Sequence, residues 1–328
     1  MDQEPNSPQM LNSGIFFGLL TTLSWAFCIF PFTQAARRLG SNSLNHFRLL
    51  LALIFIGTIS TILDATGFSK IFTSDYSQAW LWLGLSGIVG LTFGDYFAFE
   101  AYSILGARLG SVLTTFAPAA ALCLAWILLG ETLSFIGIIG IFITIFGVNF
   151  ISLGKKERDK IPTNKQSKIS LGVIAGIMSA FCQGAGLVLA KKGMIMEKEL
   201  NITINPFHAT FIRLAIATTF LYAFTILRGK LKFVFQPILE NREGGIKYAI
   251  AGTVFGPTLG VSLSLFTVAL IEPSIAQTIF SLVPVFALFV ARILTKEKIT
   301  WQSLSGVTIA MFGVIVLIWR DKIGEYFI

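Results

Sequence analysis

The chain is predicted to be an all-α polytopic membrane protein, with ten transmembrane helices arranged as two inverted five-helix repeats. Three observations predict it: the spacing of the apolar runs, a repeat across the midpoint, and the side on which positive charge collects. Apolar residues make up 54% of the 328 positions and charged residues 13%, and mean hydropathy is +0.77. A soluble chain of this length needs a charged surface to cover its core. Here the charges are confined to short gaps between apolar stretches of about 20 residues, each long enough to cross a bilayer.

The spans fall at 14–36, 44–63, 79–102, 107–129 and 133–153, then at 170–190, 206–227, 246–271, 274–295 and 301–319. Each is expected to be a helix, because lipid offers the backbone no water to bond and the runs are too long for barrel strands. Only Ser103 to Gly106 separates the third span from the fourth. A tight turn is expected there, since a fused segment would be far too long for a membrane. The organisation that follows is a tail at 1–13, a first repeat at 14–153, a basic cytoplasmic linker at 154–169, a second repeat at 170–319 and a tail at 320–328. The N-terminal stretch has no Lys or Arg before the first span. It lacks the positive region of a secretory signal, so the first span is expected to be retained.

The repeat is visible without gaps. Sliding residues 86–150 by 166 positions matches 15 of 65 residues, including Gly90 with Gly256, Gly94 with Gly260, Pro118 with Pro284 and Glu131 with Glu297. Gly140 and Gly147 fall on Gly306 and Gly313, and Arg48 and Arg213 occupy similar places in the second and seventh spans. Five spans is an odd number, so the second copy must enter the membrane upside down. Inverted repeats of this kind build transporters whose substrate site lies near the bilayer middle.

Orientation comes from Lys and Arg. The linker from Gly154 to Ser170 holds six of the 25, and its side of the membrane holds 17 against six on the other, with Arg48 and Arg213 inside spans. Positive residues stay in the cytoplasm, so both termini are expected outside. Asn201-Ile202-Thr203 then lies outside and fits a glycosylation sequon. The net charge of +8 sits beside the spans, where it reads as topology and lipid-headgroup contact rather than nucleic-acid binding.

Ionisable groups inside the spans are the candidate functional residues, because each costs several kcal/mol in lipid unless paired or wet. Arg48 lies about four residues inside the second span and Asp95 about seven residues before the end of the third. At 1.5 Å per residue both are about 6–11 Å deep on the same side, so they are expected to pair. Glu100 is about 140° round the helix from Asp95 and is expected at the cytoplasmic mouth. Arg213 repeats Arg48, with Glu272 as its only nearby acid, and Val261 stands where Asp95 would recur. That asymmetry makes Asp95 the best candidate for handling a proton or cation. Trp25 and Tyr96 sit deep enough to reach a central cavity, while Gln183 and Gln277, like Gln34 and Asn149, could line one or bond a neighbouring helix. Trp80, Trp82, Trp301 and Trp319 fit an interfacial belt.

Pro31, Pro118, Pro257 and Pro284 are helix-kink candidates, since each removes a backbone donor. Gly90, Gly94, Gly256 and Gly260 form faces for close helix approach. Cys28, Cys123 and Cys182 have neither disulfide nor metal spacing, and read as small packing residues. His46 and His208 have no second ligand at useful spacing. No metal or cofactor is expected.

The pattern resembles the EamA-like branch of the drug/metabolite transporter superfamily. The residues that carry the resemblance are His46-Phe47-Arg48-Leu49, Phe93-Gly94-Asp95-Tyr96, Ala117-Pro118 and Gly130-Glu131. In the second half they are Phe211-Ile212-Arg213-Leu214, Phe255-Gly256-Pro257-Thr258-Leu259-Gly260, Val283-Pro284 and Lys296-Glu297. The resemblance covers nearly the whole chain apart from its tails. It implies ten helices in two inverted repeats, and a carrier of amino acids, nucleotide sugars, other metabolites or drugs, often outward and sometimes proton-coupled. It also suggests a bacterial inner membrane. The chain departs from the pattern at Gln183-Gly184, where many members have Trp-Gly, which weakens any expectation of a stacking aromatic there.

The function expected is therefore a secondary transporter of a small organic solute, with the lipid bilayer and candidate protons as its other partners. No nucleotide-binding loop is present, so a gradient or a partner must supply the energy. Two isolated His residues, no carboxylate pair on one face and no nucleophile motif argue against an enzyme. A non-transporting scaffold or channel is the alternative, although neither pore loops nor rings of charge are visible.

Overall fold

The computed structural model describes residues 8–152, 167–199, 202, 204–295, 301–320 and 323. Most of the basic linker lies outside the described residues, as do Glu297, two residues of the sequon and the end of each tail. Among the described residues all regular structure is helical. Among these residues eight helices are long and apolar enough to cross a membrane, and two shorter apolar helices cover 135–150 and 304–318.

The chain opens with α1 (Pro8–Leu39) and α2 (Ser41–Lys70), split at Gly40. The next rod consists of α3 (Ser77–Ser86), a π-helical segment (Gly87–Gly94) and α4 (Asp95–Leu105). Gly106, with φ of 87°, ends it and begins α5 (Ala107–Leu113), which a short 3₁₀ turn joins to α6 (Ala117–Leu129). A residue with a Cβ would resist that φ, which is why the turn expected at Ser103 to Gly106 closes on a glycine. α7 (Phe135–Ser152) completes the half.

The second half runs through α8 (Ile169–Glu199) and α9 (Pro206–Leu227), whose N-cap Asn205 accepts a hydrogen bond from the Phe207 amide. A short helix, α10 (Leu231–Leu239), comes next. It was not expected: Val234 and Ile238 are buried while Phe233 and Leu239 face outward, which suits a helix lying along the bundle's edge. Then come α11 (Gly245–Thr253), a second π-helical segment (Val254–Gly260), α12 (Val261–Leu270), α13 (Pro273–Phe280), α14 (Val283–Thr295) and α15 (Trp301–Ile318).

The π segments end 166 positions apart, at Gly94 and Gly260. In each, the following amide skips a residue: Asp95 N–H reaches Gly90 O, and Val261 N–H reaches Gly256 O. Such segments free a carbonyl for other use and recur at functional sites. Pro257 sits inside the second. Pro31 lies within α1, whereas Pro118 and Pro284 occupy the first turns of α6 and α14, just after breaks in the helix. Pro is tolerated there because those amides lack helical partners anyway.

Packing crosses between the halves. α1 lies along α11, the second π segment and α12, while α8 lies along α3, the first π segment and α4. The glycines make this possible: Gly256 and Gly260 face Phe32 and Trp25 of α1, and Gly90 faces Gly186 of α8. α7 packs on α15 so closely that a Cβ at Gly147 would overlap the Ala310 backbone. The outer surface is apolar, with Phe16, Ile54, Trp126, Phe142, Phe181 and Phe312 all exposed, as a lipid-facing belt requires. Buried hydroxyls such as Thr22, Thr33, Thr144 and Thr253 bond the carbonyl four residues back, so they cost little inside.

Candidate functional site

The site begins at the first turns of α2. Asn45 and Arg48 are three residues apart on one face, and both are about 1% exposed. Arg48 Nε and Nη2 donate to Asn45 Oδ1 at 3.0 and 2.9 Å, and Nη2 also donates to the Leu91 carbonyl at 2.6 Å. That carbonyl is free to accept because the π segment sends the Asp95 amide to Gly90 and Thr92 instead. Asn45 Nδ2 donates to Thr92 O at 2.9 Å, so both ends of the amide are used.

Asp95 begins α4 and closes the network. Its Oδ2 lies 2.5 Å from Arg48 Nη2, and its Oδ1 accepts from Gln183 Nε2 of α8 at 2.5 Å. The guanidinium also lies 5.1 Å from the centre of the Phe99 ring, a distance at which a cation is attracted to the ring face. One carboxylate thus ties three helices together, and both of its oxygens have partners.

This network forms part of the wall of a cavity of about 110 Å³. Arg48, Asp95, Gln183, Gln277 and Ser179 supply its polar side. Trp25, Phe32, Phe99, Tyr102 and Phe280 supply an aromatic side, with Trp25 and Phe280 packed edge-on at 5.0 Å. Trp25 fits there because Gly260, opposite its indole, has no side chain. Pro257 also reaches the wall.

The structure brings together Trp25, Gln183, Gln277, Arg48, Asp95 and Pro257 from among the residues singled out in the sequence. Tyr96 does not line the cavity. It follows Asp95 directly, about 100° round the helix, and its ring packs beside Phe97 instead. Glu100 is half-buried and also off the wall, as are Arg213, Pro31, Pro118 and Pro284. Asn149 bonds back to the Ile145 carbonyl at 2.7 Å. His46 bonds Asn42 O and Thr225 Oγ1, a structural role, and no group of three metal-binding side chains occurs among the described residues. Sequence reasoning missed Asn45, Phe99, Tyr102 and Ser179. Only Asn45 carried a signal, its three-residue spacing from Arg48.

Glu272, expected as the only acid near Arg213, does not pair with it. Glu272 Oε2 lies 3.4 Å from Arg320 Nη2, because α13 starts beside the end of α15. Lys191 donates to the Val268 and Ile271 carbonyls at the same end of the bundle. Glu131, in the turn after α6, lies against this group. Burial and the negative charge of Glu272 push its carboxyl up to about 7, against the opposing pull of Lys191.

An all-helical bundle with an apolar outer belt around a charged, aromatic-walled cavity defines a multi-pass membrane protein. The chain belongs to the EamA-like transporter family, whose sequence profile matches residues 12–153 and 170–319. It is 30% identical over 115 residues to a protein of Archaeoglobus fulgidus described as an uncharacterized transporter. That match spans 35% of this chain and 38% of the relative. A solved protein crystal structure shares the fold, with a TM-score of 0.65 at 13% identity over 93% of this chain and 96% of the other.

Proposed function

We propose that this transporter is a secondary active carrier that exports a small organic metabolite by alternating access between two inverted five-helix repeats. The repeats are residues 14–153 and 170–319, joined by a cytoplasmic linker at 154–169, with ten spans and both termini outside a bacterial cytoplasmic membrane. The crossed packing carries this reading: the first helix of each half lies along the third rod of the other, with the cavity where they cross. The paired π segments and the two blocks of family match support it further. A site shared by two such halves opens to one side or the other as they rock.

Within this reading Trp25, Gln183 and Gln277 contact the solute, with Tyr96 less well placed. The Arg48–Asp95 pair handles coupling, with Glu100 nearer the mouth and Arg213, the remaining charged candidate, deeper. The helix breaks at Pro31, Pro118, Pro257 and Pro284 give the rods places to bend. Uptake of metabolite pools into proteoliposomes, with and without an imposed pH gradient, tests the proposal. Accumulation of a defined solute that depends on the gradient is expected. Vesicles carrying the protein that take up nothing beyond empty vesicles would remove it.

A further inference from the structure

The two arginines that the repeat places in equivalent positions have opposite fates. Arg48 spends its donors on Asn45, the Leu91 carbonyl and Asp95. Arg213 is 4% exposed, its Nε is buried without a hydrogen-bond partner, and no described residue forms an ion pair with it. The sequence explains the difference. Three residues before Arg213 stands Thr210, whose hydroxyl is taken by the Pro206 carbonyl, and the position matching Asp95 is Val261. The second half has the cation without those acceptors.

Charge makes this consequential. The cavity wall carries one guanidinium, Arg48, and one carboxylate, Asp95, while Arg213, off the wall, is a second buried guanidinium with no carboxylate of its own among the described residues. Asp95 is the acid whose charge Arg213 feels, but its two oxygens are already bonded to Arg48 and Gln183. A buried cation with no counter-charge is strongly unfavourable in a membrane protein, and favours any arrangement that supplies an anion. Arg213 Nη2 lies 3.4 Å from where a Gly90 Cβ would stand, next in sequence to the wall residue Leu91. Gly90 stands five residues, one to two helical turns, before Asp95 on the same rod.

Resting on the carrier reading above, we propose that Arg213 is the anion-recognition residue of the transport site, and that the solute carries an oxyanion, a carboxylate or phosphate. The aromatic wall holds the solute's body while Arg213 takes its charged end. A guanidinium is suited to this, because its fork matches both oxyanions. Loading then neutralises the surplus charge, so the occupied site is the less costly one to carry through the membrane.

Thermal unfolding of the purified full chain in detergent tests this without any transport assay. Sodium acetate, sodium benzoate and inorganic phosphate are titrated separately, beside acetamide and benzamide as neutral partners of the first two. At least one oxyanion is expected to raise the Tm saturably while the amides do not. Benzoate or acetate acting alone would assign a carboxylate, and phosphate acting alone a phosphate. Arg213→Gln is expected to abolish the rise. Arg213→Lys, which keeps the charge without the fork, is expected to weaken half-saturation about tenfold, the loss of one charge-assisted hydrogen bond. No rise with any oxyanion, an equal rise with the amides, or an unchanged response in Arg213→Gln would overturn the proposal. If Arg213→Gln does not fold, an unchanged half-saturation in Arg213→Lys does the same. Failure of transport in vesicles would instead defeat the carrier reading and leave this binding result standing.

Discussion

Arg48 and Asp95 meet at 2.5 Å between helices α2 and α4, with the arginine about 1% exposed and the aspartate 18%. Removing one partner strands the other. Asp95→Ala alone should cost about 3–5 kcal/mol, the penalty of an uncompensated buried charge, while Arg48→Ala with Asp95→Ala should cost less than the sum of the single changes. Folded yield and Tm of the three variants measure this. Strictly additive losses would mean that the pair is not coupled.

The contact between α7 and α15 depends on glycine. A Cβ at Gly147 would run into the Ala310 backbone, which cannot rotate aside as a side chain can. Gly147→Val should therefore lower stability by about 1–3 kcal/mol or more by overpacking. The same change at Gly130, where nothing lies within 4 Å of the added Cβ, should act only through its positive φ. Thermal unfolding in detergent compares the two.

Much of this fold is written openly in the chain. Lipid favours apolar helices long enough to cross it, so the eight long helices, the two shorter apolar ones and the break at Gly106 could be read from the spacing of the apolar runs. The Arg48–Asp95 contact was legible for a related reason: two buried opposite charges at equal depth have few other places to go. What one dimension hides is facing. Tyr96 looked deep enough for the cavity, yet its neighbour Asp95 already takes that side. Glu272 found Arg320 rather than Arg213 because α13 and α15 meet end to end across a long separation in sequence. The π segments left no pattern, since a one-residue shift in hydrogen bonding needs no special residue. The Leu91 carbonyl was invisible for that reason.

Glu131 gives the protein a pH dependence at the end of the bundle away from the Arg48 pair. Its carboxyl is raised to about 7 from an ordinary value of 4.5 by burial and by Glu272, with Lys191 opposing. The folded state therefore holds this proton more tightly than the unfolded chain. Its contribution to stability is full below about 4.5 and is lost as pH rises through about 7. The Tm of the purified protein should fall between pH 5 and 7.5, and Glu131→Gln should flatten that fall. An identical slope in the variant would assign the dependence to another group.

We propose that the Arg48–Asp95–Gln183 network lies on the path of coupled transport. Asp95→Asn tests it most directly, since the amide keeps the shape and can still bond Gln183 while losing the charge. In proteoliposomes with an imposed gradient, folded Asp95→Asn is expected to lose accumulation of a solute that the unaltered protein concentrates. Exchange of that solute across the same vesicles, with no gradient, is expected to continue. Accumulation at the unaltered rate by folded Asp95→Asn would contradict the account and leave the pair a purely structural tie.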